Sequence, residues 1–150
     1  MEVTFKTASN DDRYLLLSLT KEFYQIEHLT YNVEVLNKCF DEIFTNDNLA
    51  TIWIIYIERE PAGYVVLTFG YSLEFHGRDA LIDEFYIRES YRSQGIGKQT
   101  LEFVLTTCQT LGIKAVHLEV SHENNRAKTI YQKAGFVAHD RYFMTKWINS

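Results

Sequence analysis

The stretch from Leu49 to Arg88 constrains this chain most, because it holds three β-rich runs with little chain to join them. "LATIWIIYIE", Leu49 to Glu58, is nearly continuous in apolar residues, and "REPA" makes a turn. "GYVVLTFGYSLEF" resumes from Gly63 to Phe75, "HGRD" turns again, and "ALIDEFYIR" runs from Ala80 to Arg88. Runs joined by such short turns should pair as an antiparallel meander.

The flanking segments set the rest of the architecture. "EVTFKTA" alternates and predicts a first strand, Glu2 to Ala8, and "SNDD" supplies helix N-cap candidates. Leu15, Leu16, Leu19, Phe23 and Ile26 then follow helical spacing. A second helix is expected from Val33 to Phe44, with Leu36, Phe40 and Phe44 on one stripe. Beyond Arg88 the period changes. Leu101, Val104, Leu105, Cys108 and Leu111 recur at helical spacing after Gly95, and Gly112 supplies a stop. A strand is expected over Lys114–Val120, then a helix over "NNRAKTIYQKA" with Ala127, Ile130, Tyr131 and Ala134 on one face. Two last strands are expected around Phe136 to Asp140 and Tyr142 to Ile148. The strand–helix–strand unit from Leu81 to Val120 implies a parallel pair with a right-handed crossover. The fold class is α/β (α+β by stricter naming) with a mixed sheet, in a single domain spanning 1–150.

Composition narrows the functional classes. Hydrophobic residues at 46% with 23% charged describe a globular chain, and one proline with seven glycines argues against long linkers. Fifteen basic against twenty acidic residues leave a net charge of −5. Such a chain is a poor partner for nucleic acid, whose non-specific binding runs on phosphate neutralisation. The N-terminus has no basic region followed by an apolar run, and no apolar run reaches membrane length. A cytoplasmic protein with no membrane partner is expected. Cys39 and Cys108 form no CxxC and read as buried reduced thiols. The five histidines show no HxxxH or HxH pairing, so no metal is expected.

"YRSQGIGKQ", Tyr91 to Gln99, is the stretch that raises the question of function. Glycine costs a helix interior roughly 1 kcal/mol relative to alanine, yet Gly95 and Gly97 open this helix. A Walker loop does not meet the spacing, and a GxGxxG fingerprint would need glycine where Thr100 stands. A helix N-terminus after a strand still exposes unpaired N–H groups and a positive dipole end. Small residues there would admit a phosphate or pyrophosphate. On this stretch alone, a tight turn with close helix–sheet packing fits equally well.

Other segments favour the anion. Through Arg92, Gly95 and Gly97 the stretch matches the [QR]xxGx[GA] loop of the GNAT superfamily of acyl-CoA-dependent N-acetyltransferases. Downstream, Asn124, Ala127, Tyr131, Gly135 and Phe136 resemble that superfamily's NxxAxxxYxxxGF signature, and "LIDEFYI" looks like its acetyl-CoA-contacting strand. The resemblance spans Leu81 to Phe136. It implies a mostly antiparallel mixed sheet of six to seven strands flanked by about four helices.

The same resemblance implies a site. Main-chain groups of Phe85 and Ile87, with Tyr86 between them, would pair with the pantetheine arm of acetyl-CoA. Arg92 would brace the loop or approach a phosphate, and beyond Ser93 the N–H groups of Gln94, Gly95, Ile96, Gly97 and Lys98 would hold the pyrophosphate. Asn124 and Ala127 would contact the cofactor, and Tyr131 would protonate the departing thiolate. Asp83 or Glu84 would act as a water-relayed base, with Glu84 preferred. Strand alternation puts these neighbours on opposite sides of the sheet, so only one would face the cleft.

Glu22, Tyr24, Glu27, Glu34, Asp41 and Glu42 lie where the family builds its acceptor site. A small cationic amine such as a polyamine or amino sugar would suit them, and so would a plain solvated acidic face. A protein lysine or N-terminal amine as acceptor, or a non-catalytic acyl-CoA-binding module, stands as the alternative. A monomer or homodimer is expected.

Overall fold

The computed structural model describes residues 1–149. The chain divides into two compact units, Met1–Glu119 and the segment from Val120 onward.

The first unit is a sheet with helices on both faces. In chain order it contains β1 (Val3–Thr7), α1 (Arg13–Ile26), α2 (Val33–Ile43), β2 (Ala50–Ile57), β3 (Glu60–Ser72), β4 (Gly77–Ile87), α3 (Ile96–Thr110) and β5 (Ala115–Leu118). The strands lie in the order β1-β2-β3-β4-β5. β1 to β4 pair antiparallel and β4 with β5 parallel, the consequence of routing the chain through α3.

Alternation along β2 separates two cores. Ile52 and Ile54 pack with Leu16 and Leu19 of α1, Phe40 of α2, and Tyr64, Val66 and Tyr86. Ile55 and Ile57 face the other way, against Ile96 of α3, with Phe85 and Ile87 packed beside them. Phe103 of α3 stacks on Phe5 at 4.3 Å and meets Trp53 edge-on at 5.4 Å. Full burial of a side chain such as Leu16 or Leu19 contributes about 1.5–3 kcal/mol, so the sheet is clamped from both sides. α2 starts sharply because Asn32 accepts hydrogen bonds from the N–H groups of Glu34 and Val35.

Two features of β4 position the site. Val66 pairs with Glu84 but Leu67 with Ile82, so Asp83 is an extra residue in a β-bulge. Pairing with β5 covers only Asp79 to Ile82, and among the described residues no strand pairs with the rest of β4 on that side.

The second unit contains α4 (Asn125–Lys133). The Asn124 carboxamide caps it by accepting from the Ala127 N–H at 3.2 Å. Gly135, at φ +99°, ends it: its N–H donates to the Gln132 carbonyl, and that of Phe136 to Tyr131 at 3.0 Å. This is a Schellman stop, completed by the Tyr131 and Phe136 rings at 6.0 Å.

The expected strand count is corrected here. The described residues hold four α-helices and a mixed sheet of five strands, not six or seven, and neither Phe136–Asp140 nor Tyr142–Ile148 forms a strand. Alternation supplies β-propensity, but a strand exists only where its backbone finds a ladder partner. Val137, Tyr142, Phe143, Met144, Trp147 and Ile148 stay exposed instead. No helix among the described residues is long and apolar enough to cross a membrane.

Candidate active site

In the first unit, α1, α2 and the sheet line an open-mouthed cavity of about 180 Å³. Thr20 and Tyr24 of α1, Leu36 and Phe40 of α2, Tyr64 and Val66 of β3, and both Asp83 and Glu84 of β4 are among its walls. Strict alternation would have sent one carboxylate to each face. The bulge at Asp83 breaks the alternation and brings both to the same cavity.

The two acids differ in surroundings. Glu84 is held from both sides: its Oε2 accepts from the Tyr24 hydroxyl at 2.6 Å and its Oε1 from the Tyr64 hydroxyl at 2.7 Å. Burial raises its pKa, the two phenols pull it back, and the Asp83 charge raises it further. The Tyr24 and Tyr64 phenols are themselves pushed well above their usual value, first by burial and then by the Glu84 carboxylate. Asp83 has no hydrogen-bond or ion-pair partner among the described residues, and desolvation raises its pKa as well. Its residue surface remains open to solvent, so this desolvation comes from the protein around the carboxylate, not from full enclosure.

A second polar group lies on the same sheet face. Glu22 accepts from the Tyr86 hydroxyl at 2.9 Å and from Arg88 at 3.1 and 2.8 Å. Arg88 lowers the Glu22 pKa, and burial with Glu22 beside it pushes Tyr86 up to about 12. Glu22 is therefore committed to Arg88, and Asp41 pairs with Arg13 at 2.6 Å. Glu27, Glu34 and Glu42 are exposed. Of the six residues expected to shape an acceptor site, only Tyr24 lines the cavity. Cys108 is buried, but Cys39 is exposed where a buried thiol was expected, because helical spacing turns its neighbour Phe40 inward. Cys39 is also part of the cavity wall.

The glycine loop follows β4. Arg92 donates from Nε to the Ile87 carbonyl at 2.8 Å, tying the loop to the strand end. Ser93 has φ +64° and Gly95 φ +81°, so the chain passes twice through the left-handed region before α3 begins. The first helical bond runs from the Gln99 N–H to the Gly95 carbonyl. The N–H groups of Gln94, Gly95, Ile96, Gly97 and Lys98 have no partner among the described residues. Gly95 needs glycine for its φ, whereas a Cβ on Gly97 would meet only Ile87 Cδ1 at 3.8 Å. Nothing within the chain demands glycine at 97. Ile96 is 1% exposed and anchors the helix, leaving only its backbone for a ligand, while Lys98 is exposed.

In the second unit, Asn124 and Ala127 are bonded to each other as the start of α4, and Tyr131 lies one turn beyond Ala127. Burial raises the Tyr131 phenol above its usual pKa. Among the described residues no group of three or more His, Cys, Asp or Glu is arranged to hold a metal ion.

Sequence reasoning missed Tyr64 and the apolar walls. No sequence signal marked Tyr64, whose place follows from its register opposite Tyr86, two residues from the Val66–Glu84 pair.

Comparison with known proteins bears on this arrangement. A model of the Acetyltransferase (GNAT) family matches residues 15–136. The D-amino-acid N-acetyltransferase of Saccharomyces cerevisiae is 33% identical over 55 residues, 37% of this chain and 34% of that protein. The thialysine N-epsilon-acetyltransferase of Bos taurus is 32% identical over 73 residues, 49% of this chain and 42% of that protein. The chain thus matches less than half the length of either relative. The crystal structure of an integron cassette protein from the mobile metagenome of Cole Harbour Salt Marsh superposes with a TM-score of 0.85. That protein is 29% identical, over 97% of this chain and 91% of its own.

Proposed function

The chain belongs to the GNAT family of acetyltransferases, and from that premise we propose that it moves the acetyl group of acetyl-CoA to a primary amine of a small molecule. One observation carries the reading: the β4 bulge delivers two carboxylates to one cavity, on a strand whose far half lacks a partner strand on its β5 side among the described residues. The relatives' names, which specify D-amino acids and thialysine, support a small amine.

The donor suits groups this chain leaves open. The unpartnered N–H groups of Gln94 to Lys98 fit pyrophosphate oxygens. Main-chain groups of Phe85 and Ile87, on either side of Tyr86 and beyond the end of the β5 pairing, fit the amides of the pantetheine arm. Arg92 braces the loop through Ile87. Asn124 and Ala127 are assigned to the same cosubstrate by their motif.

An alkylammonium holds its proton at pH 7 by about 4–5 kcal/mol, so a base must take it. We assign that proton, relayed through water, to Asp83, whose carboxylate has no competing partner. Glu84, fixed by Tyr24 and Tyr64, adds a second negative charge toward the ammonium. The neutral nitrogen attacks the thioester carbon, the C–N bond forms and the C–S bond breaks with its electron pair on sulfur. The role of acid is assigned to Tyr131 by its motif: its phenol gives the thiolate a proton and recovers one from solvent, while the nitrogen releases its surplus proton to solvent. The raised pKa of the Tyr131 phenol keeps its proton in place at neutral pH.

A panel of amines assayed with acetyl-CoA for thiol release tests the proposal. Turnover of a small amine is expected. Turnover of peptides alone would make it a protein acetyltransferase, and binding of acetyl-CoA without any release would make it a binding module.

A further inference from the structure

The cavity walls are specific about the body of the acceptor. Leu16, Leu36, Phe40, Ile43, Ile52 and Val66 contribute apolar surface from four separate elements. No Lys, Arg, His, Asn or Gln lines the cavity. Its remaining polar groups are largely engaged: the Thr20 hydroxyl donates to the Leu16 carbonyl at 2.7 Å, and each Glu84 oxygen already accepts one phenol. The remaining polar capacity lies with the neighbouring carboxylates of β4, Asp83 and Glu84, and with the Thr68 hydroxyl of β3. The volume, about 180 Å³, slightly exceeds the roughly 150 Å³ of an apolar protein cavity that holds one benzene ring.

From these walls we infer that the acceptor is a primary monoamine whose body is apolar and about one ring in size, its ammonium held at Asp83 and Glu84. The inference rests on the acetyl-transfer reading and makes it narrower. An amino sugar would bring several hydroxyls to a lining whose polar side chains, besides the two acids and their phenols, are only Thr20, Thr68 and Cys39, and buried unbonded hydroxyls are costly. A polyamine would bring a second ammonium, and no carboxylate besides Asp83 and Glu84 lines the cavity to receive it. A phenyl ring or branched alkyl group on a short arm leaves no polar atom unpaired.

Steady-state assays with 2-phenylethylamine, isoamylamine, spermidine and glucosamine at saturating acetyl-CoA test this. The two apolar amines are expected to exceed the two polar ones in kcat/KM by about 10- to 100-fold. Leu36→Gln, at a partly buried wall position, should narrow that gap while leaving the thermal midpoint near that of the parent. Spermidine or glucosamine turned over as well as 2-phenylethylamine would overturn the inference and leave the acetyltransferase reading standing. Calorimetric titration with the same four amines gives a readout independent of turnover. Selective binding of 2-phenylethylamine without any acetylation would support the apolar site and sink acetyl transfer instead. Binding without selectivity would sink the apolar site.

Discussion

Two regions of the Met1–Glu119 unit face the proposed chemistry, and they are made from different materials. The loop from Arg92 to Lys98 is one short stretch of chain whose working parts are backbone N–H groups, exposed where α3 begins. The cavity is made of side chains, drawn from Leu16 to Glu84 across α1, α2, β2, β3 and β4. A backbone device depends on conformation and is disturbed mainly at its glycines. A side-chain device depends on each group's identity, and the sheet register decides which groups meet.

The widest expected separation comes from the base. Asp83→Asn should lower kcat by about 10²- to 10⁴-fold, the usual worth of a positioned general base. Acetyl-CoA affinity should stay near that of the parent, because the loop is untouched. The acidic limb of the pH–rate profile should disappear with it, and a limb that survives would return the role to Glu84. Tyr131→Phe should reduce turnover by roughly 10²-fold, again with acetyl-CoA binding retained. Unchanged turnover would remove Tyr131 as the acid.

The same contrast explains what was legible in the sequence. The loop could be found because a backbone role leaves glycines at a fixed spacing, and the α4 signature because a cap and a Schellman stop are local. The meander was legible because β2, β3 and β4 are joined by turns too short for any other pairing. The cavity was hidden in the register. Asp83 and Glu84 share it only through one extra residue, and bulges carry no residue signature of their own. The acidic residues of α1 and α2 stayed open between an acceptor site and a plain solvated face for a related reason: Arg88, far along the chain, claims Glu22. The pattern after Phe136 misled because alternation does not say whether a partner strand exists.

Tyr24→Phe sharpens the cavity side. The Tyr24 hydroxyl donates to Glu84 and lowers its pKa, so its loss raises the folded-state pKa of Glu84 further. The folded variant then binds more proton than the parent, and its stability deficit grows with pH. The deficit should be small at pH 4, where Glu84 is largely protonated. It should open as pH rises through the elevated Glu84 pKa and level at about 1.5–3 kcal/mol near pH 8, the worth of a hydrogen bond to a charged group. Denaturant unfolding at the two pH values measures it. A deficit independent of pH would mean that the hydroxyl does not act on the charged form of Glu84.

Gly97→Ala gives the smallest effect and the cleanest break between the two regions. The new Cβ would meet only Ile87 Cδ1 at an ordinary 3.8 Å, and position 97 lies within α3. Alanine in a helix is favoured over glycine by roughly 0.5–1 kcal/mol, so the thermal midpoint should rise by a few degrees. Were this glycine present for internal packing, the substitution would lower stability. If instead it is there to let a pyrophosphate approach the N–H groups of Gly97 and Lys98, the methyl group stands in the ligand's path. The dissociation constant for acetyl-CoA should then rise by about 10-fold, while the apolar-over-polar amine preference stays unchanged. A variant both more stable and weaker for acetyl-CoA would mark Gly97 as kept for the ligand at a cost to the fold. Full affinity would remove the loop from the donor site and leave the cavity reading intact.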